Sequence, residues 1–308
     1  MSPMKRWIRC ELHTHSYHSD GAFNAVSLLD TAEDLGIQAL AATDHNSNLI
    51  LETLLPEAER RGFPLIPGVE LSTFFGHLLV MGVRAPIDWR DMSMDVPLDA
   101  KLREIHALGG INGIAHPFRP ASPLCNGGLW RYEVEDCSNI DYIEVWSGIH
   151  PMKNPCNAAA MDLWDDWLNQ GHRVTGLSGR DWHKPGTAEE DAGAAFSYLQ
   201  VEGEISVPKL MDSIRKGDVS VAIYDLPVLN IENRMAMVSL ISEGRGKVNL
   251  SAVLCVDGKR SDPLPVFRET PTAFSLPEKW KWVRVELYDS SEMVGFTNPT
   301  WADERGKR

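Results

Sequence analysis

The chain has 308 residues, of which 43% are hydrophobic and 24% are charged, a composition typical of a soluble globular protein with a sizeable core. Its formal net charge is −13 and it has no run of Lys and Arg, so we expect no long nucleic acid to bind across its surface. No apolar run reaches the ~18 residues of a membrane span, and no apolar stretch follows the basic residues near the N-terminus. We therefore expect neither a membrane span nor a secretory signal.

The cysteines indicate a reducing compartment. There are five, an odd number, and no two of them have C-x-x-C spacing. A disulfide framework or a thiolate zinc site is therefore not expected, and we predict a cytoplasmic protein. The length suggests one large domain or one and a half, and the sequence gives no indication of the oligomeric state.

The first predicted element carries three potential ligands. A short apolar strand at 7–12 ends in His13 and His15, and Asp20 follows just before a glycine. Because side chains alternate along a strand, His-x-His places both imidazoles on one side. Two imidazoles and a carboxylate in one short loop are typical of a metal site. Two alternatives stay open: a polar loop whose histidines bond to the backbone, and His18 instead of Asp20 as the ligand.

Segments of helical and strand character then alternate as far as residue 216. Apolar spacing predicts helices at 24–35, 49–61, 98–108, 157–169 and 208–216. Short apolar runs predict strands at 37–42, 63–69, 111–115, 140–145, 173–177 and 194–201, with a hairpin of 71–75 and 77–83. This alternation favours parallel strands in an α/β barrel, where reactive groups lie at strand ends. The long connection at 119–139 is of the kind that often covers a site.

The character of the sequence changes after about residue 217. The segments 219–224, 235–242, 246–256 and 281–289 alternate or run apolar, with Gly, Pro and Asp between them and no clear helix. This pattern predicts a small antiparallel β module, sandwich-like in character. We therefore expect two domains, a barrel at 1–220 and a C-terminal β module at 221–308.

Nine potential metal ligands stand at or near the ends of the predicted strands. They are six histidines and three carboxylates: His13, His15, Asp20, His45, Glu70, His77, His116, Asp181 and His183. Nitrogen and oxygen donors without a thiolate suit Zn²⁺, Mn²⁺ or Fe²⁺ better than Mg²⁺ or Ca²⁺ alone. Since one catalytic ion takes about three protein ligands, we expect two or three divalent ions, particularly if one carboxylate bridges.

These residues form five motifs in a recognisable order. They are H-x-H-x4-D-G at 13–21, T-D-H-N at 43–46, G-V-E at 68–70, A-H-P at 115–117 and D-x-H at 181–183. In them the chain resembles the PHP (polymerase and histidinol phosphatase) metal-dependent phosphoesterases, over about residues 7–220. The resemblance implies a distorted seven-stranded (β/α) barrel with two or three metal ions. E-V-W-S-G at 144–148 and F-T-N-P-T-W at 296–301 are similar to the carbaryl-hydrolase subfamily, whose members carry a comparable C-terminal β extension.

Carried over by position, the resemblance implies three groups of metal ligands. The groups are His13, His15, Glu70 and Asp181; Glu70, His77 and His116; and Asp20, His45 and His183. Glu70 would bridge the first two ions. Glu70, Asp181 and His183 are the predicted catalytic residues, and the proton for the leaving group comes either from His183 or from metal-bound water.

The charge of a metal-filled site favours an anionic substrate. Three divalent ions outweigh three carboxylates and a hydroxide, so a phosphate ester would gain more from the site than a neutral carbamate. With only two ions the balance falls to about neutral, and this preference weakens. We predict a phosphoesterase acting on small phosphate mono- or diesters, such as a nucleotide or sugar phosphate, with carbamate, amide or ester hydrolysis as the alternative.

Three further residues are predicted to bind substrate. Arg119 would clamp a phosphate, and Arg180 lies where relatives have a smaller residue. Trp146 would stack on a base or an aryl group. The alternatives are structural ion pairs for the two arginines and core or lid packing for the tryptophan. We expect Glu144 to form a structural ion pair.

Overall fold

The computed structural model describes residues 4–120, 129–242 and 249–304. Within these ranges the strands are β1 Lys5–Glu11, β2 Ala39–Ala42, β3 Leu65–Thr73, β4 Gly76–Met81, β5 Ile111–Ile114, β6 Tyr142–Ser147, β7 Thr175–Gly179, β8 Phe196–Glu202, β9 Val219–Ala222, β10 Leu226–Glu232, β11 Met235–Ile241, β12 Leu250–Val256, β13 Lys259–Arg260, β14 Leu264–Pro265, β15 Thr272–Ser275, β16 Trp282–Asp289, β17 Glu292–Thr297 and β18 Thr300–Trp301. The α-helices are α1 Ala25–Asp34, α2 Leu51–Arg61, α3 Asp99–Ala107, α4 Pro155–Gln170, α5 Ala188–Ala192 and α6 Val207–Lys216.

Strands β1 to β7 follow one another in chain order around a distorted α/β barrel. Strands β1, β2 and β3 are parallel neighbours, and so are β5, β6 and β7. Strand β4 runs antiparallel between the two sets, because a tight turn between Thr73 and Gly76 folds it back on β3. The predicted barrel and its hairpin are thus confirmed.

The barrel closes at its mouth through very little pairing between its first and last strands. One parallel bridge joins Thr14 to Trp182, and the Trp182 N–H donates to the His13 carbonyl at 2.9 Å. Deeper in the barrel, the backbone of Ser178 in β7 is hydrogen-bonded to a side chain, the Ser197 hydroxyl of β8. Its Oγ accepts from the Ser178 N–H and donates to the Ser178 carbonyl, both at 2.9 Å. The chain segments after β1 and after β7 therefore lie side by side.

Sequence signals at the helix ends explain where the helices begin and stop. Helix α1 begins after Asn24, whose side chain accepts a hydrogen bond from the Ser27 N–H. Helices α2, α4 and α6 end at Gly62, Gly171 and Gly217, which have φ angles of 66°, 94° and 68°. Glycine adopts this left-handed conformation without the strain that a side chain would cause. The five predicted helices are confirmed, and each end lies within two residues of its predicted position.

The C-terminal strands continue the barrel sheet. Strand β9 pairs with both β8 and β17, and β17 leads through β16 to β12. A second sheet of β10, β11 and β15 covers this extension, and apolar side chains of β11, β12 and β16 fill the space between the two sheets. The antiparallel character of this region is confirmed. The proposed domain boundary after residue 220 falls inside β9 and stays a prediction.

The described cysteines form no disulfide. Cys10, Cys137, Cys156 and Cys255 are free thiols, and Cys125 lies outside the described residues. No described helix combines the length and the apolar character needed to cross a bilayer. The cytoplasmic location stays a prediction.

Candidate metal centre

All nine predicted ligands lie at the mouth of the barrel, where the parallel strands end. His13, His15 and Asp20 follow β1, and His45 follows β2. Glu70 lies in β3 and His77 in β4. His116 follows β5, and Asp181 and His183 follow β7. Residues that are up to 170 positions apart in the sequence thus share one small region. Which ions they hold stays a prediction.

Glu70 lies at the centre of this cluster, and one of its oxygens faces the two histidines that follow β1. Oε2 of Glu70 lies 3.4 Å from Nε2 of His13 and 3.4 Å from Nε2 of His15. Asp181 approaches the same two rings, with Oδ1 at 3.4 Å from Nε2 of His13 and 2.9 Å from Nε2 of His15. Both imidazoles therefore face the same pair of carboxylate oxygens.

The other oxygen of Glu70 faces a second pair of imidazoles. Its Oε1 lies 2.7 Å from Nδ1 of His77 and 3.1 Å from Nε2 of His116. The two rings meet edge to face, with centroids 5.1 Å apart. One buried carboxylate thus contacts ligands on both sides, which is the geometry that a bridging ligand needs.

The third group lies closer to solvent. Oδ1 of Asp20 is 3.1 Å from Nε2 of His183 and 3.5 Å from Nε2 of His45. The side chain of Asp20 is 55% exposed, whereas that of Glu70 is fully buried. His15 is also close to this group, with Nδ1 at 4.0 Å from Oδ1 of Asp20, so it stands between the first group and the third.

The donor atoms at the centre of the cluster have no hydrogen-bond partners. Nε2 of His13, Nε2 of His15, Oε2 of Glu70 and Oδ1 of Asp181 are buried and make no well-aligned hydrogen bond. Buried polar atoms are normally paired, so several unpaired ones facing each other indicate a ligand between them. Their spacings of 2.9–3.4 Å suit neighbouring donors around an ion held at about 2.0–2.2 Å from each. These residues therefore fit divalent metal ions.

The electrostatics of the cluster keep its carboxylates ionised. Burial alone would raise the pKa of Glu70, but His13 and His77 hold that pKa well below its ordinary value. Burial is likewise outweighed at Asp181, whose pKa is held well below its ordinary value by His13 and His15. Conversely, burial lowers the pKa of His15. At His13, by contrast, the effect of burial is outweighed by Glu144 and Glu70, which hold the pKa of this histidine well above its ordinary value. Ionised carboxylates and neutral imidazoles are the forms that bind metal, so a metal ion that binds to His13 displaces a proton.

Two of the ligand histidines are oriented by hydrogen bonds from their second nitrogen. Nδ1 of His183 donates to the Asp181 carbonyl at 2.8 Å, so its Nε2 faces the mouth. Nδ1 of His45 lies 2.5 Å from Oγ of Ser72. Such contacts fix the tautomer and the ring orientation of a metal ligand. The only indication of a role for Ser72 in the sequence is its position two residues after Glu70.

Asp44 fixes the loop that carries Asp20. Its Oδ1 accepts hydrogen bonds from the Ser16 N–H at 2.5 Å and from the Ser19 hydroxyl at 2.7 Å, and its Oδ2 accepts from the Ser16 hydroxyl at 2.6 Å. This carboxylate is buried. The aspartate of the T-D-H-N motif thus supports the site from beneath, while His45 of the same motif faces it.

The expected pairing of Glu144 is made with His13, one of the candidate metal ligands. Within the described structure, its Oε1 lies 2.7 Å from Nδ1 of His13, and its Oε2 accepts from the His116 N–H at 2.9 Å. Both faces of a barrel strand are buried, so alternation alone does not show which face carries functional side chains. The position of Glu144 close to a strand end was the available signal.

Arg119 lies at the mouth, as a substrate-binding residue would. Its guanidinium donates a hydrogen bond to Oδ2 of Asp181, and its side chain is 46% exposed. The Arg119 N–H donates to the His116 carbonyl at 3.0 Å, which fixes the start of the loop. Residues 121–128 of the predicted covering connection lie outside the described residues. Substrate contact by Arg119 stays a prediction.

The placements of Arg180 and Trp146 do not favour their predicted contact with substrate. The Arg180 side chain is 1% exposed, and it donates to Oδ1 of Asp191 at 2.7 Å. Its guanidinium also lies over the Trp182 ring, 4.8 Å from the centroid. Trp146 is 2% exposed and packs edge to face on Phe296. Both side chains therefore belong to the packed interior, which agrees with the structural alternatives stated above.

Comparison with known families agrees with the motifs. A model of the PHP domain matches residues 11–96, a range that holds six of the nine candidate ligands. Residues 11–96 form a PHP domain. The other three ligands, His116, Asp181 and His183, lie beyond the matched range in sequence, but the barrel places them against the PHP residues in space.

Relatives of known name are similar to part of the chain. The chain is 36% identical over 123 residues to a 3',5'-nucleoside bisphosphate phosphatase of Chromobacterium violaceum, covering 38% of this chain and 43% of that protein. It is 37% identical over 75 residues to the 5'-3' exoribonuclease Rnm of Escherichia coli, covering 24% of this chain and 26% of that protein. The chain thus spans less than half the length of each relative.

A solved structure extends the likeness of fold beyond the PHP domain. It is a two-domain protein from Bacteroides vulgatus containing a predicted PHP-like metal-dependent phosphoesterase. The TM-score is 0.60 at 14% identity, and the superposition covers 96% of both chains. Barrel and C-terminal strands therefore occur together in a second protein.

Proposed function

We propose that this protein is a metal-dependent phosphoesterase that hydrolyses small phosphate mono- or diesters, such as a nucleotide or a sugar phosphate. The observation that carries the proposal is the set of nine nitrogen- and oxygen-bearing side chains around Glu70, with unpaired buried donors at its centre. The similarity of 123 residues of the chain to a 3',5'-nucleoside bisphosphate phosphatase supports a phosphate ester of a nucleotide.

Each part of the site has a role under this proposal. Glu70, Asp181 and the imidazoles around them would hold two or three Mn²⁺ or Zn²⁺ ions, with Glu70 in contact with both inner groups. Bound divalent ions lower the pKa of water and stabilise negative charge that develops on a phosphoryl oxygen. Arg119 brings a guanidinium to the mouth, where it would bind a phosphate oxygen. The placement of His183 supports a role as a ligand of the outer ion.

The anionic substrate follows from the charge balance of the site. Three divalent ions bring six positive charges and Arg119 adds one more, against five negative charges from the ligands Asp20, Glu70 and Asp181 and from Glu144 and Asp44 beneath them. A surplus of positive charge in a partly buried site favours a phosphate over a neutral ester. The two relatives of known name are a bisphosphate phosphatase and an exoribonuclease, which supports a phosphate ester over a carbamate. The likeness to the carbaryl-hydrolase subfamily stays a prediction.

The test is a substrate panel on protein reconstituted separately with Mn²⁺ and with Zn²⁺. The panel contains nucleoside bisphosphates, other phosphate monoesters, phosphate diesters and an aryl carbamate. We expect hydrolysis of at least one class of phosphate ester, seen as release of phosphate from a monoester or of an alcohol and a monoester from a diester, and no release of aryl alcohol from the carbamate. Glu70→Gln should be inactive, whereas His106→Gln, which alters a histidine paired with Asp141 outside the site, should be active. Absence of hydrolysis of every phosphate ester in the panel would refute the proposal.

A further inference from the structure

Glu144 touches two of the candidate metal ligands with its two carboxylate oxygens. Oε1 lies 2.7 Å from Nδ1 of His13, and Oε2 accepts a hydrogen bond from the His116 backbone N–H at 2.9 Å. Both Glu144 and His13 are buried, with side chains 1% and 0% exposed. We propose that Glu144 is a positioning residue. It selects the tautomer of His13 that binds metal, and it holds the backbone conformation of His116. This inference rests on the proposed metal centre.

The contact with His13 decides which nitrogen of the ring is available. A carboxylate accepts hydrogen bonds, so Nδ1 of His13 carries the hydrogen that faces Glu144. In the neutral ring that binds metal, Nε2 is then the nitrogen without hydrogen, on the side that faces Glu70 and Asp181, each at 3.4 Å. Carboxylate contacts of this kind orient metal-bound histidines and raise their basicity.

The contact with His116 supports an unusual backbone. The φ angle of His116 is 27°, in the region that residues other than glycine rarely adopt. Such a conformation persists only when the surroundings hold it in place. The hydrogen bond to Oε2 of Glu144 does so at the residue whose Nε2 lies 3.1 Å from Oε1 of Glu70.

Neighbouring strands are shaped to admit this carboxylate. The pairing of β6 with β7 is irregular between Glu144 and Trp146, and such bulges redirect a side chain. The neighbouring strand β7 has a glycine, Gly179, near this carboxylate. A Cβ atom at Gly179 would lie 2.2 Å from Oε1 of Glu144 and 2.7 Å from Cβ of His13. The strands β1, β5, β6 and β7 thus meet at one carboxylate beneath the ligands.

Glu144→Gln tests the inference because glutamine has only one accepting oxygen. Its amide would either face the His116 N–H, breaking that bond, or face Nδ1 of His13 and favour the tautomer that has hydrogen on Nε2. We expect the affinity for Zn²⁺ and Mn²⁺ to fall about 10- to 100-fold, measured by competition with a chromophoric chelator, with metal content determined by mass spectrometry.

Glu11→Gln is the matched control. Glu11 is as buried as Glu144, but it accepts from the N–H groups of His13 and Arg180, at 3.2 Å and 3.0 Å, through Oε1 alone. Glutamine can keep both of these bonds, so Glu11→Gln should bind metal nearly as the wild type does. An equal loss of affinity in both variants would overturn the inference, since it would show a general effect of removing buried charge.

The wild type separates failure of the inference from failure of the proposed function. Wild-type protein that binds no divalent ion refutes the metal centre and Glu144's role with it. If the wild type binds ions and the Glu144→Gln variant binds them with unchanged affinity, only the role of Glu144 is refuted. Should the variant not fold, nitrogen-15 NMR of the zinc-loaded wild type still decides: His13 must show hydrogen on Nδ1 and no hydrogen on Nε2, and the reverse assignment would overturn the inference.

Discussion

Arg119 reaches across the mouth of the barrel and donates a hydrogen bond to Oδ2 of Asp181. The two residues follow different strands, β5 and β7, and lie 62 positions apart in sequence. One is a half-exposed cation and the other a buried acid with an unpaired Oδ1. A positive group that can bind substrate therefore stands directly beside a candidate metal ligand.

Arg119→Ala should weaken binding of a phosphate substrate more than binding of metal. A hydrogen bond to a charged group contributes about 1.5–3 kcal/mol, so we expect KM for a phosphate ester to rise about 10- to 100-fold. The matched control is Arg131→Ala, which removes an exposed arginine of the same connection. Steady-state kinetics together with metal content measure the two effects. A variant with unchanged KM, or one that simply loses its metal, would contradict a role in substrate binding.

Asp20→Asn and Glu70→Gln should differ in how many ions they lose. Asp20 contacts the outer group, at 3.1 Å from His183 and 3.5 Å from His45, whereas Glu70 contacts the two inner groups through its two oxygens. We expect Asp20→Asn to bind one ion fewer than the wild type and Glu70→Gln to lose more than one. Metal content after removal of loosely bound ions measures this. Equal losses would show that the ligands are not divided into inner and outer groups.

Bound metal should stabilise the fold. The cluster brings buried carboxylates and imidazoles together, and an ion that binds only the folded state adds to the free energy of unfolding. At a free metal concentration 100 times Kd the gain for one site is about 2.7 kcal/mol. Chemical denaturation with and without Mn²⁺ or Zn²⁺ measures it, and Glu70→Gln serves as the control that should show a much smaller gain. An identical gain in that variant would place the ions elsewhere.

Much of the site could be predicted because a barrel collects its strand ends at one edge. The order of strands and helices fixed that His13, His45, Glu70 and His116 would share this edge, whatever the details of each loop. The hairpin that carries His77 was also readable, since Gly76 separates two apolar runs.

Two side chains cannot be placed from the sequence because their partners are distant along the chain. The sequence leaves Arg180 between substrate binding and an ion pair, and in the structure it pairs with Asp191. The sequence does not name a partner for Glu144, whereas in the structure its Oε1 lies 2.7 Å from Nδ1 of His13, with Gly179 of β7 leaving room for it. The pairing of β9 with β17 could not be predicted either, because two strands more than 70 residues apart leave no local pattern in the sequence.

Gly179→Ala should damage the metal centre through Glu144. The added Cβ would lie 2.2 Å from Oε1 of Glu144, so the carboxylate must move away from His13. We expect a loss of metal affinity similar to that of Glu144→Gln, together with a destabilisation of about 1–3 kcal/mol from overpacking. Gly62→Ala is the control: its helix-ending φ of 66° makes it costly by about 1 kcal/mol, but nothing lies within 4 Å of the new Cβ. Loss of metal affinity in both would point to reduced stability as the cause.

Arg284 links the barrel to the C-terminal strands by a buried ion network. Its fully buried guanidinium lies 2.7 Å from Oε1 of Glu286 in β16 and 2.9 Å from Oδ1 of Asp165 in α4. Arg284→Met leaves two buried acids short of a cation, and we expect a loss of about 3–5 kcal/mol in the free energy of unfolding. Arg260→Met removes a cation that contacts the same two acids but is 39% exposed, so it should cost less.

The loss in Arg284→Met should depend on pH with a defined sign. Burial alone would raise the pKa of Glu286, but Arg284 and Arg260 hold it below its ordinary value. A lowered pKa contributes stability above the unfolded value of about 4.3, and this contribution is lost as the pH falls through the folded value. The difference between wild type and variant should therefore be widest near neutral pH and narrow below about pH 4. Urea denaturation at pH 7 and at the lowest pH where both proteins fold measures it, and an equal difference at both would exclude Glu286 as its source.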